Sequence, residues 1–146
     1  MASCTFFGHR DCPSTIKHEL RSVLVDLIEN NNVDLFFVGN EGGFDRVVKA
    51  VLQELIVLYP QIRYAVVLAY MPPKKNELYE QDYSDTMLPE GIETVPKRFA
   101  ISWRNKWMLK RADFVVSYIT HSWGGAAQFA EMAKRQKKTV INLPCK

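Results

Sequence analysis

The sequence lacks a long apolar run, and no stretch approaches the roughly 20 apolar residues that a membrane-spanning helix needs. The opening segment MASCTFFGHRDCP reaches His9 and Arg10 too early for a signal peptide. From these two observations we expect neither a membrane-spanning helix nor a secretory leader. We therefore expect a cytoplasmic protein with no membrane partner.

Cysteine is also scarce, and the charge is not dominated by one sign. Cys4, Cys12 and Cys145 are odd in number and form no CxxC pair, which is typical of a reducing compartment. They make no recognised zinc spacing with the histidines, so we expect no metal ion and no cofactor. The net charge is only +3, with lysines and arginines spread out, whereas nucleic-acid binders usually carry a stronger basic stripe. We therefore expect no nucleic-acid partner.

What the sequence does contain is an alternation of short apolar runs and amphipathic helical patterns. The apolar runs predict strands at residues 5–7, 33–38, 62–69, 114–118 and 139–143. The helical patterns predict helices at residues 13–31, 44–58, 97–111 and 126–136. This order favours a single α/β domain over residues 1–146, a Rossmann-like three-layer sandwich with a mainly parallel five-stranded sheet.

One segment, residues 70–96, departs from this alternation. Its prolines, acidic residues and tyrosines show little periodicity, although a short helix or strand could lie within it. Long loops in compact domains are usually lids or binding loops. We therefore expect this segment to cover part of a cleft.

The loops that follow the strands carry the candidate ligand-binding residues, because parallel strands place their carboxyl ends at one edge and ligands bind beyond that edge. These residues are Gly8, His9, Arg10, Gly39, Gly42, Gly43, Asp45, Trp123, Gly124 and Gly125. A glycine turn before a helix is either a tight connection or a place where an anion approaches the backbone. Asp45 has two interpretations as well, as a helix-capping residue or as an acceptor for a ribose hydroxyl.

Three segments together resemble the SLOG superfamily, namely TFFGHR, VGNEGGFD and RNKWMLKRADFVVSY followed by GGAAQFAEMAKRQKKTVINL. Within it they are most similar to a small bacterial branch that includes the YpsA-like proteins. The resemblance implies a Rossmann-like fold that binds or senses a nucleotide or a nucleotide-derived small molecule of the ADP-ribose type. It also favours ligand contact for His9 and Arg10, and self-association into a homo-oligomer.

The same superfamily contains the LOG-type phosphoribohydrolases, which implies an alternative function. Arg104, Met108 and Asp113 keep the order and spacing of that pattern, and Glu131 falls where its catalytic glutamate would lie. The turn after Gly125, however, lacks the Gly-Thr of the GGxGTxxE motif. The alternative is thus an N-glycosidase of nucleoside monophosphates that uses Arg104 and Glu131. Without the resemblance, both residues are more simply explained as solvated helix residues.

The tryptophans divide between two roles. Trp123 directly precedes the second glycine turn, so it could stack on a base. Trp107 lies at helical spacing from other apolar residues, which is typical of a core or interface residue. The aromatic-rich helix ISWRNKWM is a candidate surface for self-association.

Overall fold

The computed structural model describes residues 2–40, 42–70 and 85–143. Its strands are β1 Ala2–Gly8, β2 Val33–Val38, β3 Arg63–Val67, β4 Thr86–Met87, β5 Phe114–Tyr118 and β6 Thr139–Asn142. Its α-helices are α1 Lys17–Asn30, α2 Gly43–Leu58, α3 Lys97–Arg111 and α4 Gly125–Arg135. Short 3₁₀ helices precede α1 at Ser14–Ile16 and α3 at Ile92–Thr94.

The strands form one sheet in the order β4-β3-β2-β1-β5-β6, and every neighbouring pair is parallel. The expected α/β class and parallel sheet are therefore confirmed. The strand count is six rather than five, because Thr86 and Met87 pair with Val66 and Val67 at the β3 edge. A two-residue strand is too short to show an alternating pattern, so its sequence gives no periodic signal.

Helices cover both faces of the sheet, which gives the expected three layers. Neighbouring residues of a strand point to opposite faces. Accordingly Phe6 and Phe36 join the apolar cluster that also contains residues of α1 and α2. Phe7 and Phe37 join a second cluster that contains Met108 of α3 and further residues of α4. Burying strand residues on both faces is typical of parallel sheets.

The segment expected to form a lid is only partly described. Residues 71–84 lie outside the described residues, so the lid stays a prediction. Residues 85–96 contain β4 and the 3₁₀ helix Ile92–Thr94, in keeping with a short element inside this segment. In the described parts of the chain, none of the helices has the length and apolar character needed to cross a bilayer.

Candidate functional site

A cavity of about 570 Å³ lies at the carboxyl ends of β1, β2 and β5. Ten of the twelve predicted site residues line it together, although they come from distant parts of the chain. They are Gly8, His9, Arg10, Gly39, Gly42, Asp45, Arg104, Trp123, Gly124 and Gly125. The two that do not line it are Gly43 and Glu131. The parallel topology explains the convergence, because it brings successive strand ends to the same edge.

The first glycine turn, before α2, is a site of close packing. The Gly43 N–H donates to the Arg10 carbonyl at 3.0 Å. A Cβ on Gly43 would lie 2.3 Å from that oxygen, and one on Gly42 would lie 2.8 Å from Arg10 Cγ. The loop after β1 therefore lies over the N-terminus of α2. This packing favours the tight-connection interpretation, and ligand contact by Gly42 and Gly43 stays a prediction.

The second glycine turn, before α4, is open. Gly124 has a φ of +97°, a left-handed conformation that favours glycine. Among the described residues, apart from the chain neighbours and the helix's own backbone, no atom lies within 4 Å of the position that a Cβ would take on Gly124 or Gly125. The helix begins without a side-chain cap bond, and its first N–H groups have no intrahelical acceptors. Because Gly124, Gly125 and Ala126 line the cavity, this helix N-terminus faces open space.

Arg104 lies at the cavity wall, but it is a buried residue of α3, with only 2% of its surface exposed. Its Nη1 donates to the Val67 carbonyl at 2.8 Å, and its Nε donates to Asn105 Oδ1 at 2.8 Å. The interpretation of Arg104 as a solvated helix residue is therefore wrong. A helical pattern does not reveal this burial, because the acceptor at the end of β3 is distant in sequence.

Asp45 and Arg104 both pack against Gly39. A Cβ on Gly39 would lie 2.9 Å from Asp45 Oδ2 and 3.3 Å from Arg104 Nη1. Asp45 belongs to the first turn of α2 and also lines the cavity. Its location is compatible with both interpretations, a helix-terminal charge and a ligand contact.

Glu131 lies elsewhere. It is exposed on α4 and lines a second cavity of about 480 Å³. Thr120 and His121 line both cavities and so form part of the wall between them. The structure thus does not bring Glu131 and Arg104 into one cavity, and the solvated-residue interpretation of Glu131 fits its exposure.

Three aromatic rings form a continuous stack along the first cavity. The centroids of His9 and His121 are 3.6 Å apart at an interplanar angle of 13°. The centroids of His121 and Trp123 are 3.8 Å apart at 21°. All three residues line the cavity. Sequence reasoning missed His121, whose signal is its position in the loop between β5 and α4, two residues before Trp123.

His9 forms the buried end of this stack, and the pKa of its side chain is lowered. Burial is the main cause, and the neighbouring charge of His121 lowers this pKa further. Within the described parts of the chain, His9 Nε2 and His121 Nδ1 are buried without a hydrogen-bond partner.

No cluster of three or more His, Cys, Asp or Glu side chains able to hold a metal ion occurs among the described residues.

Comparisons with known proteins give fold similarity only. No protein-family model matches the chain, and no curated protein sequence matches it. Two solved structures of DNA processing protein A are similar, one from Streptococcus pneumoniae and one from Helicobacter pylori. The TM-scores are 0.68 and 0.62, both at 16% identity. The match covers 97% and 99% of this chain but only 50% and 66% of those proteins.

The likeness supports the Rossmann-like α/β fold, whereas membership of the SLOG superfamily and of its YpsA-like branch stays a prediction. The Helicobacter pylori protein is described by its mode of binding single-stranded DNA. That description goes against our expectation of no nucleic-acid partner, but a likeness at this identity shows the fold alone and does not decide the matter.

Proposed function

We propose that this chain binds a nucleotide or nucleotide-derived small molecule in the first cavity, with a phosphate at the N-terminus of α4. The open turn at Gly124 and Gly125 carries this proposal. It leaves room for an anion to approach the first N–H groups of the helix. A helix N-terminus favours negative charge through these N–H groups and the helix dipole.

The charged side chains that line the cavity do not favour an anion through their net charge. Arg10 and Arg104 contribute two guanidinium groups to the cavity wall, whereas Asp11 and Asp45 contribute two carboxylates. Because these formal charges balance, the N-terminus of α4 provides the directional preference for phosphate.

Trp123 is the proposed contact for a base. One of its ring faces is stacked on His121, yet 69% of the residue surface is exposed, and the residue lines the cavity. Stacking on an aromatic side chain contributes about 1–3 kcal/mol per base. The three-ring stack has a buried end at His9 and an exposed end at Trp123. A ligand that places its phosphate inside and its base outside matches this polarity.

The proposal is tested by thermal unfolding and calorimetric titration with AMP and ADP-ribose. A ligand present at about a hundred times its Kd stabilises the protein by roughly 2.7 kcal/mol. For a domain of this size, that corresponds to a rise in Tm of roughly 5–10 °C. The proposal is refuted if neither ligand raises Tm at millimolar concentration.

A second candidate is binding of single-stranded DNA, which the likeness to the Helicobacter pylori protein favours. Titration with a thymidine oligonucleotide distinguishes binding of single-stranded DNA from binding of a small nucleotide. Binding across several phosphates weakens steeply with salt, with a slope of about −0.7 per contacted phosphate on a logarithmic scale. Steeply salt-dependent binding of the oligonucleotide alone would replace the first candidate with this one.

The alternative N-glycosidase has less geometric support, since Arg104 and Glu131 line different cavities. Cleavage of an N-glycosidic bond builds positive charge on the ribose, which a carboxylate stabilises only from close range. We therefore expect the wild type to release no adenine from AMP. Release that disappears in Glu131→Gln would establish the alternative.

Self-association stays a prediction. Trp107 of α3 is partly buried and packs edge-on against Phe37 of the core, with ring centroids 5.5 Å apart. Phe99 on the same helix is 51% exposed and remains available to a second copy. Light scattering of the purified protein measures its oligomeric state directly. If α3 forms the interface between copies, a Phe99→Ser variant should shift the equilibrium towards the monomer.

A further inference from the structure

Each histidine of the stacked pair has a buried ring nitrogen atom that no other described residue bonds to. His9 is nine-tenths buried and lines the cavity, yet its Nε2 has no hydrogen-bond partner in the described chain. The Nδ1 of His121 is buried and unpartnered in the same way. Buried polar atoms in folded proteins are nearly always hydrogen-bonded, so each exception calls for a cause. Both rings line the cavity, but the two unpartnered nitrogen atoms are closed to solvent in this structure, so the His9 ring has to turn towards a ligand before its Nε2 can bond to it.

A metal ion does not fit this pair. Imidazole lone pairs lie in the ring plane, and the planes of His9 and His121 are nearly parallel at a centroid distance of 3.6 Å. Their lone pairs therefore run side by side instead of converging on an ion at the 2.0–2.1 Å that zinc requires. Hydrogen bonding to a ligand is a use of these nitrogen atoms that the parallel arrangement allows.

His9 also resists protonation in the free protein. Two positive charges at this separation repel each other, and burial strengthens the repulsion. Burial is the main cause of the lowered pKa of His9, with the charge of His121 as the second. His9 is therefore largely neutral near pH 7 until an anion enters the cavity.

The surrounding charges come from several elements. Arg10 and Asp11 lie in the loop after β1, Asp45 in α2 and Arg104 in α3. Around His121, the second cavity adds Glu131 and Lys134 of α4. The Tyr118 ring at the end of β5 meets His9 edge-on at 6.4 Å. These groups are three acids and three bases, so a bound anion supplies the charge that decides whether His9 takes up a proton.

We propose that His9 takes up one proton from solvent when a phosphate monoester binds, so that the pair selects a terminal dianionic phosphate over a phosphodiester. The proton forms the N–H bond at Nε2, and this N–H then donates to a phosphate oxygen. The inference rests on the proposed phosphate site at α4. A monoester has a second pKa near 6 and carries close to two charges at neutral pH, whereas a diester carries one. The monoester therefore raises the pKa of the imidazole more strongly.

The test is calorimetric titration between pH 6.5 and 8.5, where AMP is mainly dianionic. Cyclic AMP is the matched probe, because it has the same base and sugar but a phosphodiester. Titration in PIPES, HEPES and Tris, which differ in ionisation enthalpy, gives the number of protons taken up. We expect AMP to bind with uptake approaching one proton and to lose up to tenfold in affinity per pH unit. We expect cyclic AMP to bind without uptake and independently of pH.

The decisive variant is His9→Gln, which keeps a polar side chain but cannot titrate. It should abolish proton uptake with AMP and make the affinity for AMP independent of pH. Binding of AMP by the wild type without proton uptake overturns this inference and leaves the proposed function standing. Uptake that persists in His9→Gln also overturns it. Absence of binding by both probes overturns the inference and the proposed function together.

Discussion

Replacing Gly125 by aspartate separates the anion-binding role of the second glycine turn from its structural role. No other part of the described chain lies within 4 Å of the Cβ position at Gly125, and its φ is not in the left-handed region that favours glycine. A side chain there meets no steric obstacle. A carboxylate in the first turn also favours the helix dipole by about 0.3–1 kcal/mol. Gly125→Asp should therefore unfold at the same temperature as the wild type, or slightly higher.

Its effect on binding should be large. The new carboxylate would lie at the cavity wall, where the proposed phosphate binds. At a separation of about 6 Å and an effective dielectric constant of about 20, two unit charges repel by roughly 2.8 kcal/mol. That energy corresponds to about a hundredfold loss of affinity. Calorimetric titration with AMP measures it, and circular dichroism during heating checks the fold.

Gly125→Asn is the matched control, because asparagine has nearly the same shape without the charge. It should bind AMP within about threefold of the wild type. If Gly125→Asp keeps full affinity, the turn before α4 is only a connection. If the asparagine variant loses as much as the aspartate variant, the effect is steric and the electrostatic reasoning fails.

Three further predictions concern packing, a buried charge and a thiol. Gly8→Ala should destabilise the fold by about 1–3 kcal/mol in urea unfolding, because its Cβ would lie 2.2 Å from Phe44 Cδ2; an unchanged midpoint would refute the close packing. Arg104→Met should lower the free energy of unfolding by about 1–3 kcal/mol, because the Val67 carbonyl loses its hydrogen bond to Arg104. Arg104→Lys is the control that preserves the charge. Equal stability of Arg104→Met and wild type would contradict this. Burial raises the pKa of Cys12 to about 11, so at pH 8 iodoacetamide should alkylate it roughly a hundredfold more slowly in the native than in the unfolded protein; equal rates would disprove it.

The layered fold could be predicted because its signal is local and repeated. Apolar runs such as residues 33–38 are continuous because both faces of a parallel strand are buried. Helical periodicity then predicts α2, whose described range, Gly43–Leu58, differs by one residue from the expected 44–58. The two-residue strand Thr86–Met87 carries no such signal, since its pairing depends on a neighbour about twenty residues away.

The site could be predicted as a group of loops, but not as an arrangement of side chains. The rule that ligands bind beyond the strand ends placed Trp123 and Arg10 at one cavity. It could not show that His121 stacks between His9 and Trp123, because that contact joins loops more than a hundred residues apart in sequence. Nor could it show that Glu131, one turn and a half into α4, lies in a different cavity from Arg104.

The two glycine turns show why the arrangement needs tertiary information. Both follow a buried strand and begin a helix, so their local chemistry is the same. At Gly43 the backbone N–H is already bonded to the Arg10 carbonyl, and this contact leaves no room for an anion. At Gly125 no other part of the described chain approaches, so the N–H groups of α4 keep their capacity for a ligand. A glycine turn predicts that something comes close to the backbone, and only the packing of the rest of the chain determines whether that is the protein itself or a ligand.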